Sequence, residues 1–310
     1  MLCACSRVNV RARTEDNPPI NVMGPEMVQQ FQEVINDMEA DAYVRVVVFD
    51  SAVDDYFLNH SDFLAKIEDL TSLPAGPTGL PPWPDFLVRL TRIPVVSIAL
   101  IRGRATGNGS EITLACDMSF ASREKAILSQ WEVGVGMVAG GPMARLPQLI
   151  GRNRALEALL RSEGIRADQA EAYGHVNRAL PDADLDAFVE ALATRIAGFD
   201  KWAIANTKRL VNTSLPPDVE LGAGWDACIA WRSRASDCSF QDGFNRYGFG
   251  SAMVETTRSI YRLYRLCSFY NQQVTDNKNT VCFRLPLASA ALMCCLRADE
   301  TEFRTIRGDP

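Results

Sequence analysis

Histidine is nearly absent from this 310-residue chain, which has only His60 and His175. So few imidazoles leave little scope for a His-dependent nucleophile triad or a histidine-rich metal cage. The nine cysteines are odd in number and form no C-x-x-C pair, so neither a zinc site nor a disulfide framework is indicated. Basic runs are missing too. No stretch of Lys or Arg exceeds two residues and the net charge is −6, which argues against a nucleic-acid footprint or a polybasic membrane patch. The longest apolar run, "LPLASAALMCCL" from Leu285 to Leu296, contains a proline and falls well short of the ~20 residues that span a bilayer. The opening "MLCACSRVNVRARTEDN" has no apolar segment of the secretory kind, and the closing "GDP" is no S-K-L type peroxisomal address. These absences predict an intracellular protein, cytoplasmic by default, with no nucleic acid and no membrane as partner. Carboxylates are left as the main carriers of chemistry.

With 47% hydrophobic residues, the chain can bury one large core or two modest ones. In "EMVQQFQEVINDME", the spacing of Met27, Phe31, Val34, Ile35 and Met38 predicts a surface helix over roughly 26–39. The β-branched run "YVRVVVFD" predicts a buried strand from Tyr43 to Phe49. "TSLPAGPTGLPPWP", residues 71–84, holds five of the sixteen prolines and predicts a mobile surface loop. A second strand, Pro94 to Ile101, runs into "GRATGNGSEITLACD", where three glycines precede Glu111 and the sequence turns helical. Strand, glycine turn and helix is the local topology expected.

Glycines at such a junction let the backbone N–H groups of a helix start point at a ligand, where the dipole favours negative charge. The spacing is G-x-x-x-G-x-G, not the G-x-G-x-x-G of a dinucleotide site. Close packing of helix on strand is the alternative use of the same glycines. Glu132 stands 21 residues after Glu111, before another glycine-rich segment. Two isolated carboxylates in apolar surroundings suit paired acid and base work if the fold brings them together, although either could instead be a helix-capping group. Ser129 and Gln130 adjoin the second acid, but a polar residue at a strand end is ordinarily solvated. His175, in "YGHVNRAL", receives no role.

The succession "VRVVVFDSAVDDYFLNHSDF", "PVVSIALIRGRATGNGSEITLACDMSFAS", "SQWEVGVGMVAGGPMARLPQLIGRNRALEAL" and "ADQAEAYGHVNRALP" resembles the crotonase (enoyl-CoA hydratase/isomerase) superfamily over roughly residues 17–212. Its central pattern is met by Ala99, Gly103, Ala105, Gly107, Gly109 and Glu111. The resemblance implies an α/β fold, a crotonase-like spiral of ββα repeats with a C-terminal helical trimerisation region, and a homotrimer or hexamer. It implies an acyl-CoA thioester as substrate, its carbonyl oxygen held by the backbone N–H groups of Ser61 and Asn108. Enolate charge builds on that oxygen, and losing one preorganised donor typically costs ~3 kcal/mol. Glu111 and Glu132 match the two glutamates that handle water and proton in hydratases. His60 and Gly107 are placed against the substrate, and neither metal nor cofactor is implied beyond the coenzyme A carried by the substrate.

Retention of both acids favours an enoyl-CoA hydratase, adding water across the 2,3-double bond. The alternatives are an isomerase using mainly Glu132 and a non-catalytic scaffold that binds acyl-CoA or oligomerises. His60 and Asn108 stand where the family usually has glycine, so a narrowed or distorted oxyanion slot is expected. Arg102 and Arg104 are candidates for the pyrophosphate of coenzyme A, and the segment 71–84 corresponds to a variable lid over the acyl pocket. The domain reading is 1–200 for the spiral core, 201–265 for the helical oligomerisation region and 266–310 for an unassigned tail, open to being disordered.

Overall fold

The computed structural model describes residues 9–14, 20–62, 65–215, 222–227, 229–230, 280–287, 290–297 and 304–307. Residues 216–221, 228 and 231–265 of the proposed oligomerisation region lie outside them, as does most of the tail. The chain divides into two compact units, Met1–Val254 and Glu255–Pro310.

In the first unit, β1 (Asn9–Thr14), α1 (Pro25–Ala40), β2 (Val46–Ser51) and β3 (Tyr56–Leu58) are followed by α2 (Ile67–Thr71) and α3 (Pro82–Arg92). Next come β4 (Val96–Ile101), β5 (Arg104–Thr106), α4 (Asn108–Ala115), β6 (Met118–Ser122) and β7 (Ile127–Ser129). A short 3-10 turn, Glu132–Val135, leads to α5 (Pro142–Ile150), α6 (Arg152–Arg161), β8 (Ile165–Arg166), α7 (Ala167–Tyr173), β9 (Arg178–Leu180), α8 (Asp182–Ala197) and α9 (Lys201–Val211). One sheet has the order β1-β2-β4-β6-β9 and the other β3-β5-β7-β8. The pairs β2/β3, β4/β5 and β6/β7 each place one strand in each sheet before helices intervene. That alternation is the ββα spiral.

The strand run "VVVF" is apolar throughout because both faces of its sheet are covered. Val46 and Val48 join Ile98, Leu100 and Phe120 in a core beneath α8, whereas Val47 and Phe49 enter the larger core shared with α1 and α3. Strand β2 starts later than the sequence predicts. The Asp41 carboxylate accepts the N–H groups of Tyr43 and Val44 at 2.6 and 3.2 Å, so a side-chain-closed turn occupies those residues. Strand β5 was not foreseen, since three residues are too few to show a period.

The mobile loop expected over 71–84 is corrected at its end. Pro82, Trp83 and Pro84 form the first turn of α3, where missing proline N–H groups cost nothing, and Trp83 is 1% exposed. The preceding residues are fastened by Asp85, whose fully buried carboxylate accepts Thr78 N–H at 2.9 Å and Thr78 Oγ1–H at 2.7 Å. Asp85 also pairs with Arg89 at 3.3 Å, and Arg89 reaches Glu39 of α1 at 2.6 Å.

The second unit contains β10 (Thr280–Leu287), β11 (Ala290–Arg297) and β12 (Arg304–Arg307) in one antiparallel sheet. Among the described residues no helix is long and apolar enough to cross a membrane.

Candidate active site

Beyond β3 the backbone runs extended beside Asn21–Met23. Met23 N–H donates to His60 O at 3.0 Å and Asp62 N–H to Met23 O at 2.9 Å, pairing Met23 with Ser61 in a parallel bridge. Because those bonds use the residues on either side, the Ser61 N–H points away from Met23. Asn108 opens α4, and its N–H is one of the helix-start donors that no intrahelical carbonyl can reach. Neither N–H has a protein partner among the described residues. The two positions are joined by Ser61 Oγ–H, which donates to Asn108 Oδ1 at 2.8 Å.

Two glycines make this approach possible. Gly109 lies so close to β3 that a Cβ there would be 1.8 Å from Leu58 O, so packing is its role. Gly107 precedes the helix at φ +53°, and its missing Cβ leaves space 3.1 Å from His60 Cβ and 3.6 Å from Glu132 Oε1. The packing use of these glycines is thus present at Gly109. Neither His60 nor Asn108 takes a positive φ, so glycine is not required at either for backbone conformation.

Glu111 is buried one turn into α4. Its Oε1 accepts Gly141 N–H at 3.0 Å, while Oε2 accepts Asn108 Nδ2–H at 3.3 Å and the indole N–H of Trp83. Burial pushes its pKa above the carboxylate range, and the three donors and the nearby Arg145 oppose that rise.

Glu132 starts the 3-10 turn after β7 and keeps partial exposure. Burial of its carboxyl group, reinforced by the charge of Glu111 and opposed by its own backbone N–H, pushes its pKa up to about 8. Gln130, placed with its amide oriented to satisfy its neighbours, donates to both Glu132 oxygens at 2.8 and 3.0 Å and accepts Ser110 Oγ–H at 2.9 Å. This corrects the expectation for the strand end, because Ser129 and Gln130 are 8% and 3% exposed.

A cleft of about 580 Å³, open mouth included, brings the six candidates His60, Ser61, Gly107, Asn108, Glu111 and Glu132 to one place. Its remaining wall is largely apolar, with Leu70, Met137, Trp225 and Ile229. His60 Nδ1 lies 2.8 Å from Ser61 O, a carbonyl that can only accept, so Nδ1 carries the proton. The His60 ring meets Trp131 edge to face at 5.1 Å. Arg102 is committed elsewhere, paired with Asp182 at 2.8 Å and Asp186 at 3.1 Å. Among the described residues no group of three His, Cys, Asp or Glu could hold a metal ion.

Trp83 and Trp225 carry no signal in the sequence that points to the site. Trp83 was hidden among prolines, although an aromatic flanked by "PP" and "P" could have marked a helix start. Trp225 lies in residues 222–227, a helical segment whose Gly224 would place a Cβ 2.3 Å from Gly140 O.

A family model for enoyl-CoA hydratase/isomerase matches residues 9–229. The short-chain-enoyl-CoA hydratase of Clostridium acetobutylicum is 26% identical over 217 residues, covering 70% of this chain and 80% of its own. The crotonyl-CoA hydratase of Syntrophomonas wolfei is 27% identical over 203 residues, covering 65% and 76%. A crystal structure from Streptomyces avermitilis, provisionally assigned as an enoyl-CoA hydratase, superposes with a TM-score of 0.71 at 38% identity, covering 81% of this chain and 94% of that one.

Proposed function

The chain belongs to the enoyl-CoA hydratase/isomerase family, and on that premise we propose that it is a hydratase, adding water across the 2,3-double bond of an enoyl-CoA thioester. The observation that carries this reading is the meeting of Glu111, Glu132, Ser61 and Asn108 in one cleft. The thioester oxygen lies between the Ser61 and Asn108 N–H groups, which stabilise its charge as water oxygen bonds to C3. Glu111, held by three donors that oppose the burial-driven rise in its pKa, takes the proton of water. Glu132, pushed up to about 8, enters protonated and delivers its proton to C2. The pair finishes with the proton exchanged between them, and no redox cofactor or metal enters the balance.

The activities named for the two relatives support a short acyl chain, and the apolar wall supports an acyl group over a charged one. Exposed apolar side chains on α9, including Trp202 at 75%, support the homotrimer or hexamer that the resemblance implies. Light scattering of the purified protein measures that assembly.

One observation favours an isomerase instead: both Glu111 oxygens are already engaged, leaving less of that carboxylate for water. Loss of enoyl absorbance with crotonyl-CoA and a longer 2-enoyl-CoA tests the hydratase. Wild-type turnover that fails in both Glu111→Gln and Glu132→Gln is expected. Isomerisation of a 3-enoyl-CoA that survives Glu111→Gln and fails in Glu132→Gln would replace hydration with the second reading.

A further inference from the structure

We propose that Trp83 is a positioning residue for the reaction, its indole N–H fixing the orientation in which Glu111 presents its carboxylate to the cleft. The kinetic part of this inference rests on the hydratase reading. An indole N–H is a donor with no acceptor capacity, and at 1% exposure it must find a partner inside the protein. The partner is Glu111 Oε2. The ring has no freedom to look elsewhere, being stacked on Phe86 at 5.5 Å and 20° and set against Phe31 at 5.4 Å and 63°. The direction of this N–H is thus decided by the core between α1 and α3, outside the cleft.

The effect on the carboxylate follows from its own geometry. The terminal torsion of a glutamate is soft and roughly two-fold, so one donor leaves the group free to swing. Glu111 is held at opposite oxygens by two rigid donors, the Trp83 indole on Oε2 and the Gly141 backbone on Oε1. Two such points define the carboxylate plane and leave its remaining lone pairs aimed in a fixed direction. Asn108 adds a longer contact of 3.3 Å to Oε2, from a side chain also held by Ser61. Trp83 does not line the cleft and acts through Glu111.

Trp83→Phe removes the N–H and keeps an aromatic ring in the stack. With thermal stability close to wild type, kcat is expected to fall roughly 10-fold or more, as for loss of a hydrogen bond to a charged group, with KM changed less than about 2-fold. The acid limb of the kcat profile moves to higher pH, because a donor to the charged form has gone. Wild-type kcat and an unmoved pH profile in a folded Trp83→Phe protein would overturn the proposal.

A second readout needs no turnover. The five tryptophans give five indole N–H signals in a 15N-tryptophan spectrum, and Trp83→Phe identifies one of them. That signal is expected downfield in wild type, moving upfield as Glu111 is protonated and in Glu111→Gln. A signal indifferent to both changes would overturn the proposal even if the Phe variant misfolds. If the signal responds while wild type hydrates no enoyl-CoA, the hydratase reading falls and the Trp83–Glu111 relationship stands.

Discussion

The hydroxyl of Ser61 donates to the side-chain oxygen of Asn108 across 2.8 Å, tying the loop after β3 to the first turn of α4. This bond should set the span between the two backbone N–H groups beside the cleft. Removing either side chain should lower kcat several-fold while leaving the backbone donors in place. Because Ser61→Ala and Asn108→Ala break the same link, their effects should not add. A double-mutant cycle on hydration kinetics should return a coupling of about 1 kcal/mol. Additive effects would mean that the bond does not set the spacing.

On the proposed hydration mechanism, activity should be lost as pH rises through about 8, because that mechanism draws on the Glu132 proton and burial holds it to that point. Stability carries the same sign. A carboxyl raised from 4.5 to about 8 on folding binds a proton that the unfolded chain releases, so its contribution is complete below 4.5 and gone above about 8. Denaturant titrations from pH 5 to 9 should therefore show a decline that flattens in Glu132→Gln. A decline of equal slope in that variant would assign it to another group.

His175 predicts the opposite slope. Among the described residues neither ring nitrogen has a hydrogen-bond partner, and burial lowers its pKa from 6.5 to about 4. The unfolded chain gains a proton that the folded one refuses, so stability falls as pH drops from about 6.5 toward 4, by about 3 kcal/mol at the low end. His175→Leu should remove that acid sensitivity and stabilise the protein by about 1 kcal/mol at neutral pH, through loss of orphaned polar atoms. Urea midpoints of both proteins across the range provide the check.

Gly224→Ala should lift residues 222–227 from the cleft, because the new Cβ falls 2.3 Å from the backbone oxygen of Gly140 and neither side can yield cheaply. Trp225 moves with it, and the cleft loses part of its apolar wall. The expected result is a KM raised on the order of 10-fold with a smaller change in kcat, measured with crotonyl-CoA. An unchanged KM would show that Trp225 does not contact the substrate.

The residues that carry period and spacing were legible in the sequence. Helix α1 was placed within a residue at each end, as its apolar stripe faces a single core. The strand run "VVVF" announced a sheet covered on both faces. Glu111 and Gly107 stood out because glycine-rich turns ahead of an isolated acid are uncommon, and the meeting of the two acids came from the family resemblance. Trp83 was not legible as a partner of Glu111, since the two stand 28 positions apart with no periodic signal and the contact exists only once α3 packs on α4. Gln130 was dismissed for a related reason. Burial of a strand end depends on what lies across from it, and sequence spacing says nothing of that.

The carboxylate of Asp85 fastens Thr78 to the first turn of α3, two positions from Trp83. The proline-rich segment and the indole on Glu111 are thereby one inheritable block. Variation over 71–81 that alters its grip on Asp85 is transmitted to the carboxylate, so this stretch is a poor cassette for loop grafting. A transplant of this stretch has to carry the segment together with α3, from Thr71 to Arg92.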